Sequence, residues 1–396
     1  MMQKKMRFVI WMILGFILIS TLKVYANDYT KEFGKEQQED IIDYQMELFN
    51  WEEIEKLQKK LSYSSAKESD YNLKEEVIEI VKGNKKFKIE ELVLRILEML
   101  LGEIHSYIKL GIRFILVVLL CSMLQSLSSS FQSKDTNKVA FFVCYMVIVY
   151  SVVDSVTLLT NLAKETIDQM SEVMYICMPT LLAFMSSSGY ISSSAAMAPI
   201  VITALNLITY VIKVLVLPCI ISVLALEIVG TISEDFKIDK IIQLFYRGIK
   251  LALRGIFFIS IAILGFYKST MPYIDKTVQK GALKISSAFI PIVGDAVDGA
   301  IDFIVNCSLL MKNAFSIAVI LWLVILVSIP LIHMFAFVVV YHIAGAVIEP
   351  LGDKKMAQIA VKIAKGGEFI MSCVGIVALL CMSVLMICMS VGSNIA

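Results

Sequence analysis

The sequence predicts an all-α, polytopic membrane protein with a small N-terminal extracytoplasmic helical domain. Three observations carry this. Of 396 residues, 58% are hydrophobic and only 18% are charged, against roughly 45–50% and about 25% in ordinary soluble domains. The mean hydropathy is +0.77. Apolar runs of bilayer length recur beyond residue 110, and a charged stretch separates them from an apolar leader.

The leader comes first. "MMQKKMR" supplies Lys4, Lys5 and Arg7, "FVIWMILGFILIS" is an apolar core, and Val24-Tyr25-Ala26 ends in a small residue. Residues 1–26 read as a signal peptide cleaved after Ala26, with an uncleaved membrane anchor as the alternative. Either way, the chain from residue 27 starts outside the cytoplasm.

Residues 27–110 form the extracytoplasmic region. Ile42, Met46, Phe49 and Leu57 recur at helical spacing, and Trp51, Ile54 and Leu61 continue the pattern. A polar break follows, then a second helix in "LKEEVIEIVKG", closed by Gly83-Asn84. This domain is either a solvated spacer or a docking surface for another exported protein. The stretch around Ile89, Leu92, Val93, Ile96, Leu97 and Leu100 is amphipathic, with Lys88, Glu91, Arg95 and Glu98 opposite. Such a helix lies in the membrane interface or packs on a partner helix. His105 falls at its boundary.

Residues 111–396 are the polytopic domain, with about 7–9 passes expected from helices of about 20 residues each. Apolar runs fall at 111–130, 139–160, 172–188, 196–230, 249–268, 314–348 and 368–391. Two are too long for one ordinary pass. They contain Pro218 and Pro330, so each is a long helix or a tight pair. "SSSGYISSS" at 186–194 reads as a turn. The loops bearing Lys134/Lys138, Lys237–Arg254 and Lys354–Lys365 are basic and are expected inside. "NLAKETIDQMSE" sets Lys164 against Glu165, Asp168 and Glu172 and is expected outside. The basic residues Lys268, Lys276, Lys280 and Lys284 conflict with a simple alternation.

The segment 284–312 is unusual for an apolar region. It holds Pro291, Gly294 and Gly299, and its acids Asp295, Asp298 and Asp302 are spaced to share one helix face. Two readings stand. One is a re-entrant or pore-lining helix with an acidic stripe, since intramembrane carboxylates face a bundle interior or water. The other is an amphipathic helix on the membrane surface. Asp154, Lys213, Glu227, His333, His342 and Glu349 are further polar residues in apolar surroundings.

Composition and motifs also exclude functions. The net charge of +1 gives no nucleic-acid footprint. The eight cysteines all lie beyond residue 110, without CxxC or Cys/His spacing, so neither a disulfide framework nor a zinc site is expected. HExxH, GxSxG, Walker A and GxGxxG are all missing from the sequence. No enzyme and no cofactor is expected, and transport driven by ATP would need a separate ATPase.

The run "KISSAFIPIVGDAVDGAIDFIVNCSLLMKNAF" followed by "AGAVIEPLGDKKM" resembles the stage III sporulation protein AE family. The matching positions are Lys284, Ser287, Pro291, Val293, Gly294, Asp302, Ser308, Leu309, Lys312 and Asn313, then Glu349, Pro350, Gly352 and Asp353. The resemblance implies a multi-pass protein of the mother-cell membrane surrounding the forespore. It implies partners encoded in the same sporulation operon, including a companion secretion-type ATPase, and a forespore membrane partner reached through the complex. The assembly would form a channel that sustains late forespore gene expression, with this chain as platform or permease-like conduit. No catalytic residues come with the resemblance. Pro291, Gly294, Asp295, Asp298, Gly299, Asp302, Lys312, Asn313, Glu349 and Pro350 are the residues expected at a pore or subunit contact. An independent ion- or solute-coupled transporter is the alternative.

Overall fold

The computed structural model describes residues 46, 51–64, 72–81, 108–109, 111–120, 123, 134–232, 240–262, 265–266, 294–351 and 354–391. These residues are almost entirely helical, with no strand among them. The leader over 1–26, the amphipathic stripe at 88–101, His105, Pro291 and the lysines from Lys268 to Lys284 lie outside the described residues.

Two short helices open the described chain, α1 (Trp51–Ser64) and α2 (Leu73–Val81). α1 buries Trp51, Ile54, Leu57 and Leu61, the stripe expected from its spacing. Asn72 starts α2: its Oδ1 accepts the Lys74 N–H at 3.1 Å, the bond an N-cap side chain supplies to an otherwise orphaned donor. Gln58 Oε1 on α1 accepts the Leu73 N–H at 3.4 Å and ties the two helices. Both pack on the longer helices. Trp51 meets Phe315 edge-on at 6.0 Å, and Lys60 pairs with Glu172 at 2.6 Å.

The rest is a bundle. α3 is Gly111–Leu120, α4 is Lys134–Ser187 and α5 is Ile191–Tyr210. A π-helical segment, Val211–Val216, joins α5 to α6 (Leu217–Ile232). α7 covers 240–262. α8 is Gly294–Ile348, and α9 is Lys354–Ser390 after a 3-10 turn at Glu349–Leu351. Among the described residues, four helical stretches are long and apolar enough to cross a membrane, starting at Tyr145, Ile191, Ile304 and Met356.

Helix length is where sequence and structure differ. The runs 139–160 and 172–188 were expected as two spans with a polar loop between them. They are one helix of 54 residues, about 81 Å long at 1.5 Å per residue. The intervening "NLAKETIDQMSE" is rich in good helix formers, so nothing in it stops the helix. The run 196–230 is likewise continuous, and its irregularity is the π segment. Pro218 has no N–H to donate, and here Leu217 donates to Ile212 O, five residues back. The run 314–348 is part of the single 55-residue α8.

The expected turn at 186–194 is real. Tyr190 N–H donates to Met185 O and Gly189 N–H to Ser186 O, each at 3.0 Å. Gly189 has φ 84°, the left-handed conformation that closes a helix C-terminus in this pattern. The chain then returns along α4, and Tyr145 Oη donates to Ile228 O at the far end, 2.5 Å. α8 and α9 form a second long hairpin. Phe184 against Phe315 and Ser155 against Tyr341 set α8 antiparallel to α4, so the two hairpins run in opposite directions. α7 runs beside α9, with Tyr246 stacked on Phe369 at 5.2 Å.

Close approach between α9 and α6 depends on one residue without a side chain. A Cβ at Gly366 would stand 2.9 Å from Leu224 Cγ. Gly366→Val is therefore expected to destabilise the protein by about 1–3 kcal/mol through overpacking. Adding Leu224→Ala should recover part of the loss, as read by thermal unfolding in detergent. An equal loss with and without Leu224→Ala would mean that this contact is not the cause.

Candidate functional site

The polar residues of the bundle gather in two places rather than one. The first is where α8 meets the end of α9. Lys312 is fully buried on α8, and its ammonium donates to the carbonyl of Val391. The last carbonyls of a helix have no partner within the helix and carry the negative end of its dipole, so a buried cation is favoured there. Ser316 Oγ donates back to Lys312 O at 2.8 Å, and Ser308 is fully buried one turn earlier. The next residue, Asn313, holds a buried Oδ1 with no hydrogen-bond partner. An unsatisfied buried acceptor costs about 1–3 kcal/mol.

The second place joins α6, α7 and α9. Glu227 is buried on α6. It accepts a hydrogen bond from Tyr246 Oη at 2.7 Å and faces Lys365 Nζ at 3.8 Å. Lys365 also lies over the Tyr246 ring, 3.6 Å from its centre. Lys362 donates to Glu227 O at 3.4 Å. The carboxylate is thus compensated by a hydroxyl and a half-exposed ammonium. The basic segments that begin α7 and α9 meet here, together with the lower part of α4 through Tyr145. Tyr145 joins this end of the bundle through Ile228 O, next to Glu227.

The residues singled out from sequence are distributed along α8. Gly294, Asp295, Asp298, Gly299 and Asp302 begin that helix. Lys312 and Asn313 follow some three turns later. Glu349 and Pro350 form the exposed 3-10 turn at the other end, about 55 Å from Lys312 at helical rise. They are not one site. Sequence reasoning noted Glu227 but not its partners. Tyr246 and Lys365 lie 19 and 138 positions away, and only the packing of three helices unites them. It also missed that Val391 needs a cap.

This arrangement defines a class: a polytopic helical membrane protein whose buried charges act as joints between helices. Among the described residues, no group of His, Cys, Asp or Glu is placed to hold a metal. The comparison with known proteins supplies the family. The sequence model described as stage III sporulation protein AE matches residues 71–392, and the chain belongs to that family. It is 28% identical over 305 residues to the stage III sporulation protein AE of Bacillus subtilis (strain 168), across 77% of this chain and 76% of that relative. No solved structure matches.

Two outcomes follow from the joints. Glu227→Ala leaves Tyr246 Oη without its acceptor, removes the carboxylate facing Lys365 and should cost about 1–3 kcal/mol. Lys365→Met should cost less, because water already reaches that ammonium; thermal unfolding in detergent gives the order. Lys312→Met keeps the volume but removes the cap. It should raise amide exchange in the last turn of α9 by roughly 5–30-fold, the equivalent of about 1–2 kcal/mol, and unchanged protection there would refute the cap.

Proposed function

We propose that this chain is the membrane base of the mother-cell–forespore channel complex of endospore formation. Its place is the mother-cell membrane around the engulfed forespore, with α1 and α2 on the extracytoplasmic side. It acts as platform or permease-like conduit, sustains late forespore gene expression, and depends for energy on a companion secretion-type ATPase from the same operon. The forespore membrane partner completes the complex across the intervening space. Membership in the family, with the match running through nearly all of the described bundle, is the observation that carries this reading. The architecture is compatible with it. Two hairpins of helices far longer than a bilayer, stiffened by α1 and α2 at one end and by the Glu227 joint at the other, suit a scaffold that other subunits grip. The chain itself performs no chemistry in this account.

A second reading has its own support. The α4–α6 and α8–α9 hairpins run in opposite directions, as the halves of inverted-repeat transporters do. An independent ion- or solute-coupled transporter would leave sporulation intact.

Deletion in frame separates the two. The platform predicts normal vegetative growth, arrest after engulfment by microscopy and weak late forespore transcription. Full sporulation with an uptake or ion-sensitivity defect would instead establish the transporter. The acidic face that begins α8 is expected at a subunit contact or along the path. The triple change Asp295→Asn, Asp298→Asn and Asp302→Asn should therefore impair sporulation while membrane insertion stays intact; normal spore yield would remove those acids from the account.

A further inference from the structure

α7 divides its surface into three sides. Ile242, Tyr246, Ile249 and Leu253 recur at i, i+3 and i+4 spacing and are buried on the bundle side, where Tyr246 stacks on Phe369 and bonds Glu227. Lys240, Arg247, Lys250 and Arg254 recur at i+3, i+4 and i+7 spacing on a second side, and all of them are exposed. Leu244, Leu251 and Phe258 form a row beside these cations, at 69%, 73% and 67% exposure. A Cβ at Gly248 or Gly255 would meet nothing within 4 Å, so no other helix is packed against α7 at those two positions.

The row of cations is not compensated by acids. Residues 240–262 hold these cations and no Asp or Glu. Among the described residues none of the row is in an ion pair, and Lys250 Nζ instead lies over the Phe369 ring, 5.8 Å from its centre. The acids on the stretches of α6 and α9 beside α7 are engaged elsewhere: Glu227 with Tyr246 Oη and Lys365, and Glu368 with His342 Nε2 at 3.4 Å. The charged part of α4 differs, because its Asp168 and Glu172 have Lys213 and Lys60. On α7, Arg247/Lys250 and Lys250/Arg254 are like-charge neighbours one turn apart and repel. An anion along the row removes that repulsion. The row stops at Arg254, and from Gly255 to Ala262 the helix carries no charge. Cations and exposed apolar side chains thus share one helix at one height. That arrangement fits a phospholipid, with an anionic headgroup on the cations and acyl chains on the apolar row. A free phosphate would leave the apolar row without a purpose.

We propose that α7 is a binding site for an anionic phospholipid, with Arg247, Lys250 and Arg254 on its headgroup and Leu244, Leu251 and Phe258 against its chains. The inference rests on the membrane class alone, and its test is independent of spore formation.

The full chain carrying Gly248→Trp is reconstituted in phosphatidylcholine vesicles with an equal minor share of brominated lipid, either phosphatidylglycerol or phosphatidylcholine. Bromine quenches tryptophan on contact, and the parent protein sets the background from its own tryptophans. Brominated phosphatidylglycerol should associate at least about fivefold more strongly than brominated phosphatidylcholine, the gain from one cation near an anionic headgroup. The preference should fall with added salt. It should be lost in the triple change Arg247→Gln, Lys250→Gln and Arg254→Gln, with insertion and thermal unfolding as in the parent, because all three side chains are exposed. Arg247→Lys keeps the charge and should keep the preference. Equal quenching by the two lipids overturns the proposal. So does quenching by neither, which places protein or water against this side of α7. A preference that survives the triple change assigns the lipid to other residues, and one abolished by inorganic phosphate at constant ionic strength makes the row a free-anion site; either result also overturns it.

Discussion

The α8–α9 hairpin is pinned at both ends, and the rest of the molecule is arranged around it. At one end the Glu349–Leu351 turn reverses the chain. At the other, a buried ammonium on α8 closes the last turn of α9. Between them the two helices pack with small residues at close approach, and α4, α6 and α7 lie against the result. A lysine with no water around it is tolerated because its charge is placed where a helix end presents unpaired carbonyls. The same carbonyls, left without it, would be a second buried cost. One bond thus resolves two problems that neither helix resolves alone.

The second joint works on a different principle. Glu227 sits where α6, α7 and α9 meet, and its ammonium partner remains half in water. A pair at such a boundary avoids the full desolvation of a deep ion pair while still fixing three helices in register. The aromatic ring of Tyr246 contributes twice, once through its hydroxyl and once as a face for the lysine. The two joints lie at opposite ends of the bundle. Together they hold two oppositely directed hairpins as one body.

Within the family, the described fold gives a physical setting to the motif residues. Those near the start of α8 and those at the Glu349–Pro350 turn are separated by the length of that helix. They serve different ends of the molecule, one near the helices α1 and α2 and one near the basic segments. A single pocket uniting them is not the organising principle. The free thiols follow the same logic of packing: Cys177, Cys373, Cys381 and Cys388 are buried as small apolar side chains.

The sequence by itself determined the membrane class, the helical state, the helix stripe of α1 and the turn at Gly189. Each rests on local signals: hydropathy, 3.6-residue spacing and a glycine that accepts positive φ. The motif residues from Lys284 to Asp353 were enough to place the chain in its family. Tertiary structure decided where helices end and what the buried charges do. A polar dozen after an apolar run looks like a loop, yet it is rich in helix formers and stays helical, and its Asp168 and Glu172 pair with Lys213 of the π segment and Lys60 of α1. Glu227 looked like an isolated acid until α7 and α9 brought Tyr246 and Lys365 to it. Lys312, expected at a pore or subunit contact, has its ammonium on the Val391 carbonyl, 79 positions away. In each case the deciding contact spans tens to more than a hundred positions, so no window along the chain contains it.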